Sequence, residues 1–305
     1  MPLVSVVVTS YNHARYLPQA IESVLAQTFT DIEVVAIDDA SRDESPAILQ
    51  RYADRVKVIQ HPTNRGTYAS LNEGIGLTEA PYIAILNSDD LWLPEKLEKQ
   101  VAVMQSDARI GLVHTAFRPI DADGNPIEGN PLGVRFHPNP QGDLLTDLLT
   151  RNLFITSSVL LRRECLQRCG WFVERLFGMG DWDMWLRIAE HYRIGYVPEV
   201  LTLYRIHGEN TMYQRQRMLA DDLWIHEERI RKRIPELLRR DGWRMRRALG
   251  IALAALGVIY SQMGERGKAF EALTQSLKLY PWRLKTWLRL LTSLTARQDT
   301  RQPAR

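Results

Sequence analysis

Tyr82-Ile83-Ala84-Ile85-Leu86-Asn87-Ser88-Asp89-Asp90-Leu91-Trp92 places four apolar residues, Ile83 to Leu86, directly before two adjacent carboxylates. A short apolar run bounded by turn residues fits a strand buried on both faces of a parallel sheet. In open α/β sheets ligands bind beyond the carboxyl ends of the strands, and Asp89 and Asp90 fall there. Two neighbouring carboxylates repel each other unless something positive lies between them. A hard divalent cation bridging to a diphosphate meets that need. A solvated turn capping the helix that starts near Pro94 is the competing reading.

Outward from this stretch, the same arrangement recurs. Val4 to Val8 is a strand-like run ending in Thr9-Ser10-Tyr11-Asn12-His13, before a helix over about Leu17 to Gln27. That loop can offer N–H groups and hydroxyls to a nucleotide, with Tyr11 as a stacking face. It holds no glycine, so it lacks the fingerprint of an ordinary nicotinamide site. Ile32 to Ile37 ends in Asp38-Asp39-Ala40-Ser41-Arg42-Asp43, where a carboxylate can accept from a base or ribose; helix capping by Ser41 or Asp43 is compatible with that role. Val56 to Ile59 is a third strand, and His61-Pro62-Thr63-Asn64-Arg65-Gly66 leads into a helix over Thr67 to Leu77. This alternation predicts an α/β fold, a mostly parallel sheet flanked by helices with right-handed crossovers.

Three segments together resemble the N-terminal half of family 2 inverting glycosyltransferases. They are Ser5-Val6-Val7-Val8-Thr9-Ser10-Tyr11-Asn12, Ser23-Val24-Leu25-Ala26-Gln27-Thr28 and Ile37-Asp38-Asp39-Ala40-Ser41-Arg42-Asp43, and Asn64-Arg65-Gly66, Asn72 and Asn87-Ser88-Asp89-Asp90 continue them in register. The resemblance implies a GT-A (Rossmann-like) fold, a nucleotide-diphosphate sugar donor and Mn2+ or Mg2+. By the same analogy Thr9, Tyr11 and Asp39 contact the nucleoside, and Asn12 and Arg65 complete the donor set. Asp89 faces the ribose and the metal-diphosphate region, and Asp90 ligates the metal.

Further along, a helix is expected over Pro94 to Gln105 and a strand over Ile110 to Phe117. Pro126 to Gln141 is too rich in Pro and Gly for long regular elements and reads as a lid or acceptor-specificity loop. Gly178-Met179-Gly180-Asp181-Trp182-Asp183 opens a helix able to bury Trp182, Trp185, Leu186 and Ala189 on one side. An inverting sugar transfer needs a carboxylate to take the acceptor's proton. Asp181 is the candidate base and Asp183 the fallback, with an ordinary helix cap as the plain alternative. The family pattern has a Glu-Asp pair here, and this chain carries Gly180 in the place of the Glu. Tyr204-Arg205-Ile206-His207 is also similar to a family segment, in which His207 serves the metal or the diphosphate and Arg205 suits diphosphate binding.

The 305 residues allow one large domain, 1–211, and a smaller helical region, 212–305. An apolar content of 45% with 25% charged residues is that of an ordered globular chain. Cys165 and Cys169, four apart in a helix, read as packing residues in a reducing compartment. Met1-Pro2-Leu3 leads straight into a strand without the parts of a secretory signal, and no apolar run is long enough to span a bilayer. A cytoplasmic location follows, with peripheral membrane contact through a basic amphipathic helix in segment 229–247, for which a solvated helical face is the competing reading. Nucleic acid is not an expected partner at a net charge of +3 and without a matching motif. Leu256-Gly257, Tyr260, Gly264, Ala269 and Pro281 resemble one tetratricopeptide-type hairpin, followed by a helix over Trp282 to Leu294 and a frayed tail over Thr295 to Arg305.

The leading expectation is an inverting, metal-dependent transfer of one sugar from a nucleotide sugar, by default a UDP-sugar, to a glycan, lipid-linked or polysaccharide-precursor acceptor. A sugar nucleotidyltransferase would carry a Gly-rich basic loop after its first strand, and Thr9-Ser10-Tyr11-Asn12 is not one. A non-catalytic scaffold acting through its helical tail draws its support from Gly180.

Overall fold

A computed structural model describes residues 1–129, 140–240 and 242–295. The chain divides into two compact units, 1–218 and 219–305. Much of the proposed lid loop (residues 130–139) and nearly all of the expected frayed tail (296–305) lie outside the described residues.

Unit 1 alternates strands and helices through its first third: β1 (Val4–Ser10), α1 (Leu17–Leu25), β2 (Ile32–Asp38), α2 (Ser45–Gln50), β3 (Lys57–Gln60), α3 (Thr67–Gly76) and β4 (Tyr82–Asn87). There follow β5 (Leu91–Trp92), α4 (Lys96–Ser106), β6 (Ile110–Ile120), α5 (Leu145–Leu148), β7 (Val159–Arg162), α6 (Glu164–Cys169), α7 (Gly180–Ala189) and β8 (Arg193–Arg205). The eight strands form one sheet in the order β3-β2-β1-β4-β7-β6-β8-β5. β3, β2, β1 and β4 are mutually parallel, whereas β7 runs antiparallel to both β4 and β6.

β1 is buried along its whole length, and Ile83 to Leu86 of β4 are at most 1% exposed, as a strand covered on both faces requires. α1 turns Leu17, Ala20, Ile21 and Val24 inward at helical spacing, with Pro18 tolerated in its first turn. α7 departs from the expected one-sided helix: every residue from Gly180 to Ile188 is buried. Its polar members are therefore committed to protein partners or to a cleft. β8 runs from Arg193 to Arg205, and its register against β6 shifts around Pro198. Proline lacks the N–H that a regular ladder needs there.

The division between the units falls within α8 (Arg215–Trp224), seven residues beyond the expected boundary at 211. The basic segment 229–247 is not one amphipathic helix. A π-helical turn over Ile225–Ile230 gives way to a 3₁₀ turn over Arg231–Arg233, a short α9 (Ile234–Leu237) and then α10 (Trp243–Gln262). Several of its cations meet acids: Arg231 bonds Glu227 and Glu271, Lys232 bonds Glu228, and Arg233 bonds Glu236. α10 and α11 (Arg266–Leu279) form the expected hairpin, turned by Gly264 at φ 79°, and α12 (Leu284–Thr295) follows. No helix among the described residues is long and apolar enough to cross a membrane.

The hairpin depends on close approach at Gly257, where an added Cβ would lie 2.7 Å from Leu273 and 3.3 Å from the Ala269 carbonyl oxygen. A Gly257→Val variant is therefore expected to lose about 1–3 kcal/mol of stability through overpacking, read as a lower midpoint in thermal unfolding followed by circular dichroism.

Candidate functional site

The carboxyl ends of β2, β1 and β4 lie side by side and open onto a cleft of about 810 Å³ lined only by residues of unit 1. β1 delivers Thr9, Tyr11, Asn12 and His13; the turn after β2 delivers Asp39; the loop before α3 delivers Asn64, Arg65 and Gly66; β4 delivers Asn87, Ser88 and Asp89. Two non-glycine residues here hold left-handed backbone, Asn12 at φ 56° and Ala40 at φ 63°. Asn12 is the easier of the two, because its side chain bonds locally. The Asn12 N–H donates to Ser41 Oγ at 2.9 Å and its Oδ1 accepts from the Arg42 N–H at 2.8 Å, clasping the first two loops together.

Asp39 is buried. Its Oδ1 accepts from the Arg65 N–H and lies 2.8 Å from His61 Nδ1, and its Oδ2 accepts from the Gly66 N–H, all at 2.8 Å. Thr9 is 8% exposed beside it and Tyr11 is 43% exposed at the rim. Arg65 lines the cleft, and its guanidinium pairs with Glu73.

The metal-site expectation is corrected in one member. Asp90 is sealed from solvent, its Oδ2 accepting from Ser157 Oγ at 2.5 Å and its Oδ1 from the Arg205 N–H at 2.9 Å. Burial and the neighbouring charge of Asp89 hold its carboxyl well above the usual range, and it does not line the cleft. One residue earlier, the cleft-facing Asp89 is different. Burial opposes its charge, but the hydrogen bond from His207 and the positive character of His13 and His207 bring it below the usual range. His207 Nε2 lies 3.1 Å from Asp89 Oδ2. His13, Asp89 and His207 bring one ligand atom each to within 4.8 Å of one another. The metal-capable set is thus Asp89 and His207 with His13 in the place expected of Asp90. His13 Nδ1 bonds Ser88 Oγ at 2.8 Å, the kind of outer contact that orients a ligating imidazole. His13 was legible only as the imidazole that directly follows the β1 loop.

Arg205 is also corrected. It is fully buried, with Nε donating to the Asp89 carbonyl at 2.8 Å, further bonds to the carbonyls of Asp121 and Ala122 and to Gln19, and its guanidinium over the Tyr16 ring. It braces the loop rather than facing a diphosphate.

Asp181 faces the same cleft from the first turn of α7. Its Oδ2 accepts from Thr156 Oγ1 at 3.0 Å and Asn152 Nδ2 at 3.1 Å, and its Oδ1 from the Trp182 N–H at 2.6 Å. Burial raises its carboxyl to about 6, against those hydrogen bonds, which lower it. Asp183, the fallback base, is fully buried in an ion pair with Arg187 at 2.7 Å and takes no part in the cleft.

Comparison with known proteins identifies the family and the fold. Residues 5–170 match the family described as "Glycosyl transferase family 2". The uncharacterized glycosyltransferase RP339 of Rickettsia prowazekii is 30% identical over 226 residues, 73% of this chain and 70% of that protein. Some other matched relatives are longer proteins of which the chain spans about a third. Among solved structures, Staphylococcus aureus TarS 1–349 in complex with UDP-GlcNAc superposes with a TM-score of 0.69 at 17% identity, over 96% of this chain and 89% of that one. The mannosyltransferase PcManGT of Pyrobaculum calidifontis, in complex with GDP-Man and Mn2+, gives 0.60 at 23% identity, over 96% and 86%. These likenesses establish the fold as GT-A.

Gly180 has a physical reason. A Cβ there would lie 2.7 Å from the Tyr68 ring, whose hydroxyl accepts from the Asp181 N–H at 3.2 Å. Tyr68 occupies the space that a longer side chain at 180 would need. Gly180→Glu is accordingly expected to destabilise by about 1–3 kcal/mol. Adding Tyr68→Ala is expected to recover part of that loss, so a double-mutant cycle in denaturant unfolding should show a coupling beyond about 0.5 kcal/mol.

Proposed function

The chain belongs to glycosyl transferase family 2, and from that premise we propose that it is an inverting, manganese-dependent transferase moving one sugar from a UDP-sugar to a hydroxyl of a glycan, lipid-linked or polysaccharide-precursor acceptor. The observation that carries the reading is the convergence in one cleft of Asp181, His13, Asp89 and the Thr9–Tyr11–Asp39 shelf, with the buried His207 bonded to Asp89 to complete the metal-capable cluster.

Asp39 favours a base with a single imide N–H, as in uracil or thymine. A carboxylate has about four acceptor sites, and His61, Arg65 and Gly66 occupy three. The remaining one matches the single imide N–H of a pyrimidine, which Tyr11 can cover by stacking. His13, Asp89 and His207 would hold the metal. Two imidazoles with one carboxylate suit manganese better than magnesium, which prefers oxygen ligands throughout. Bound there, the metal supplies positive charge against that developing on the leaving diphosphate.

The acceptor hydroxyl attacks the anomeric carbon as the bond from that carbon to the diphosphate oxygen breaks, and the hydroxyl proton passes to Asp181. A single displacement inverts the anomeric centre. Thr156 and Asn152 aim the carboxylate, and Asn152 Oδ1, buried without a hydrogen-bond partner among the described residues, can accept from the acceptor sugar. The scaffold reading loses its support, because Gly180 is required by the packing of Tyr68.

Calorimetry with UDP, dTDP and GDP, with and without manganese, tests the donor site. UDP binding that needs manganese and disappears in Asp89→Ala is the expected result; binding of none of the three nucleotides would sink the proposal. For the base, Asp181→Asn should keep UDP binding while kcat falls by about 10²–10⁴. Because the ionised carboxylate is the active form and burial raises it to about 6, kcat/KM of the parent should be level above about pH 7, bend near 6 and fall about tenfold per pH unit below about pH 5.

A further inference from the structure

The last described helix of unit 2, α12, has two unlike faces. Thr286 is fully buried and Leu290 half-buried on the side packed against α11. At roughly 100° per residue, Leu284, Trp287, Leu288 and Leu291 share the opposite side. They are 76%, 46%, 62% and 55% exposed, and Trp282, just before the helix, is 79% exposed. A cluster of large apolar side chains on one surface marks an interaction site, whereas scattered single ones do not. The Trp287 ring is held in place, its Nε1 donating to the Pro281 carbonyl at 2.8 Å.

The charge along this helix is of one sign. Arg283 and Lys285 flank it, Arg289 lies behind Lys285, and no Asp or Glu occurs from Ala272 to Gln298. In segment 229–247, by contrast, Arg231, Lys232 and Arg233 are already engaged by acids. An aromatic–leucine face bordered by unopposed cations is the composition of a helix lying in an anionic lipid interface. The indole rings sit at headgroup depth and the long basic side chains reach to the phosphates. At twelve residues α12 is about 18 Å long, too short to cross a bilayer of ~30 Å, so it would lie in the plane. A second copy fits worse, because a two-fold contact through the stripe would bring the same cations of both chains together with no acid to offset them.

We propose that α12 docks this protein on anionic membranes by laying its Trp287–Leu288–Leu291 face into the lipid surface. The inference rests on unit 2 alone and does not depend on the catalytic reading.

Sedimentation of the full chain with vesicles tests it, using phosphatidylcholine alone and phosphatidylcholine with about one third phosphatidylglycerol. The parent is expected to bind the anionic vesicles at least about tenfold more tightly than the neutral ones, and less tightly at about 0.5 M salt. Leu288→Ser with Leu291→Ser should lower binding about tenfold, and Lys285→Glu with Arg289→Glu should remove the preference for phosphatidylglycerol. Far-UV circular dichroism and thermal unfolding monitor folding of each variant. The charge variants lie on the exposed side, so they keep the test decisive if the leucine variant unfolds. No association of the parent with anionic vesicles would overturn the proposal, as would association unchanged in both variants. A dimer in analytical ultracentrifugation that the leucine variant dissociates, without vesicle binding by the parent, would make a second copy the occupant.

Discussion

A carboxyl group sealed from water, Asp90, ties the cleft together. Its two oxygens accept from Ser157 Oγ and the Arg205 N–H, so one side chain joins the loop after β4, the turn before β7 and the end of β8. Leaving a buried acceptor or donor unpaired costs about 1–3 kcal/mol, more for a charged group, so none of these three segments can shift alone. The adjacent Asp89 faces the cleft with the opposite tendency, held charged by two imidazoles while Asp90 resists ionisation. Neighbouring carboxyl groups driven apart in this way suit separate work: Asp90 braces the loops, and Asp89 lines the cleft.

The same joint reaches the candidate base. Ser157 also accepts from the Asn87 N–H, its carbonyl accepts from Trp92 Nε1 at 2.7 Å, and Gln100 bonds the Ser158 carbonyl at 2.9 Å. The 3₁₀ turn over Thr156–Ser158 is therefore fixed from several directions. Thr156 at its start bonds Asp181, so the loop carrying Asp89 and the helix carrying Asp181 are set by neighbouring residues of one short turn. A displacement reaction needs its leaving-group site and its base in fixed relation, since small misplacements weaken catalysis steeply.

The parts of this arrangement legible in the sequence were those written in local pattern. The apolar runs of β1, β2 and β4 and the polar residues at their carboxyl ends located the cleft, and the helical spacing in α1 and in the α10–α11 hairpin located the packing faces. The misreadings concern what a side chain turns toward. Adjacent carboxylates in a tight loop point different ways, and only the tertiary partners Ser157 and Arg205, 67 and 115 residues away, decide which one faces inward. Arg205 was read by its charge, yet the carbonyls of Asp89, Asp121 and Ala122 claim that charge. The basic segment 229–247 reads as basic by composition, which does not show that Glu227, Glu228 and Glu236 pair with its cations.

Asp181 shows how burial, and not the carboxylate alone, sets the character of the candidate base. At the first turn of α7 the helix dipole and three hydrogen bonds favour its charged form. Unopposed, they would give a well-solvated, weakly basic carboxylate at any physiological pH. Enclosure of α7 on all sides works against them and brings the group to about 6, ionised near neutrality but with real affinity for a proton. That enclosure depends on Tyr68 lying flush against Gly180. A larger residue at 180 would displace the ring whose hydroxyl accepts from the Asp181 N–H, so the small residue helps hold Asp181 in place.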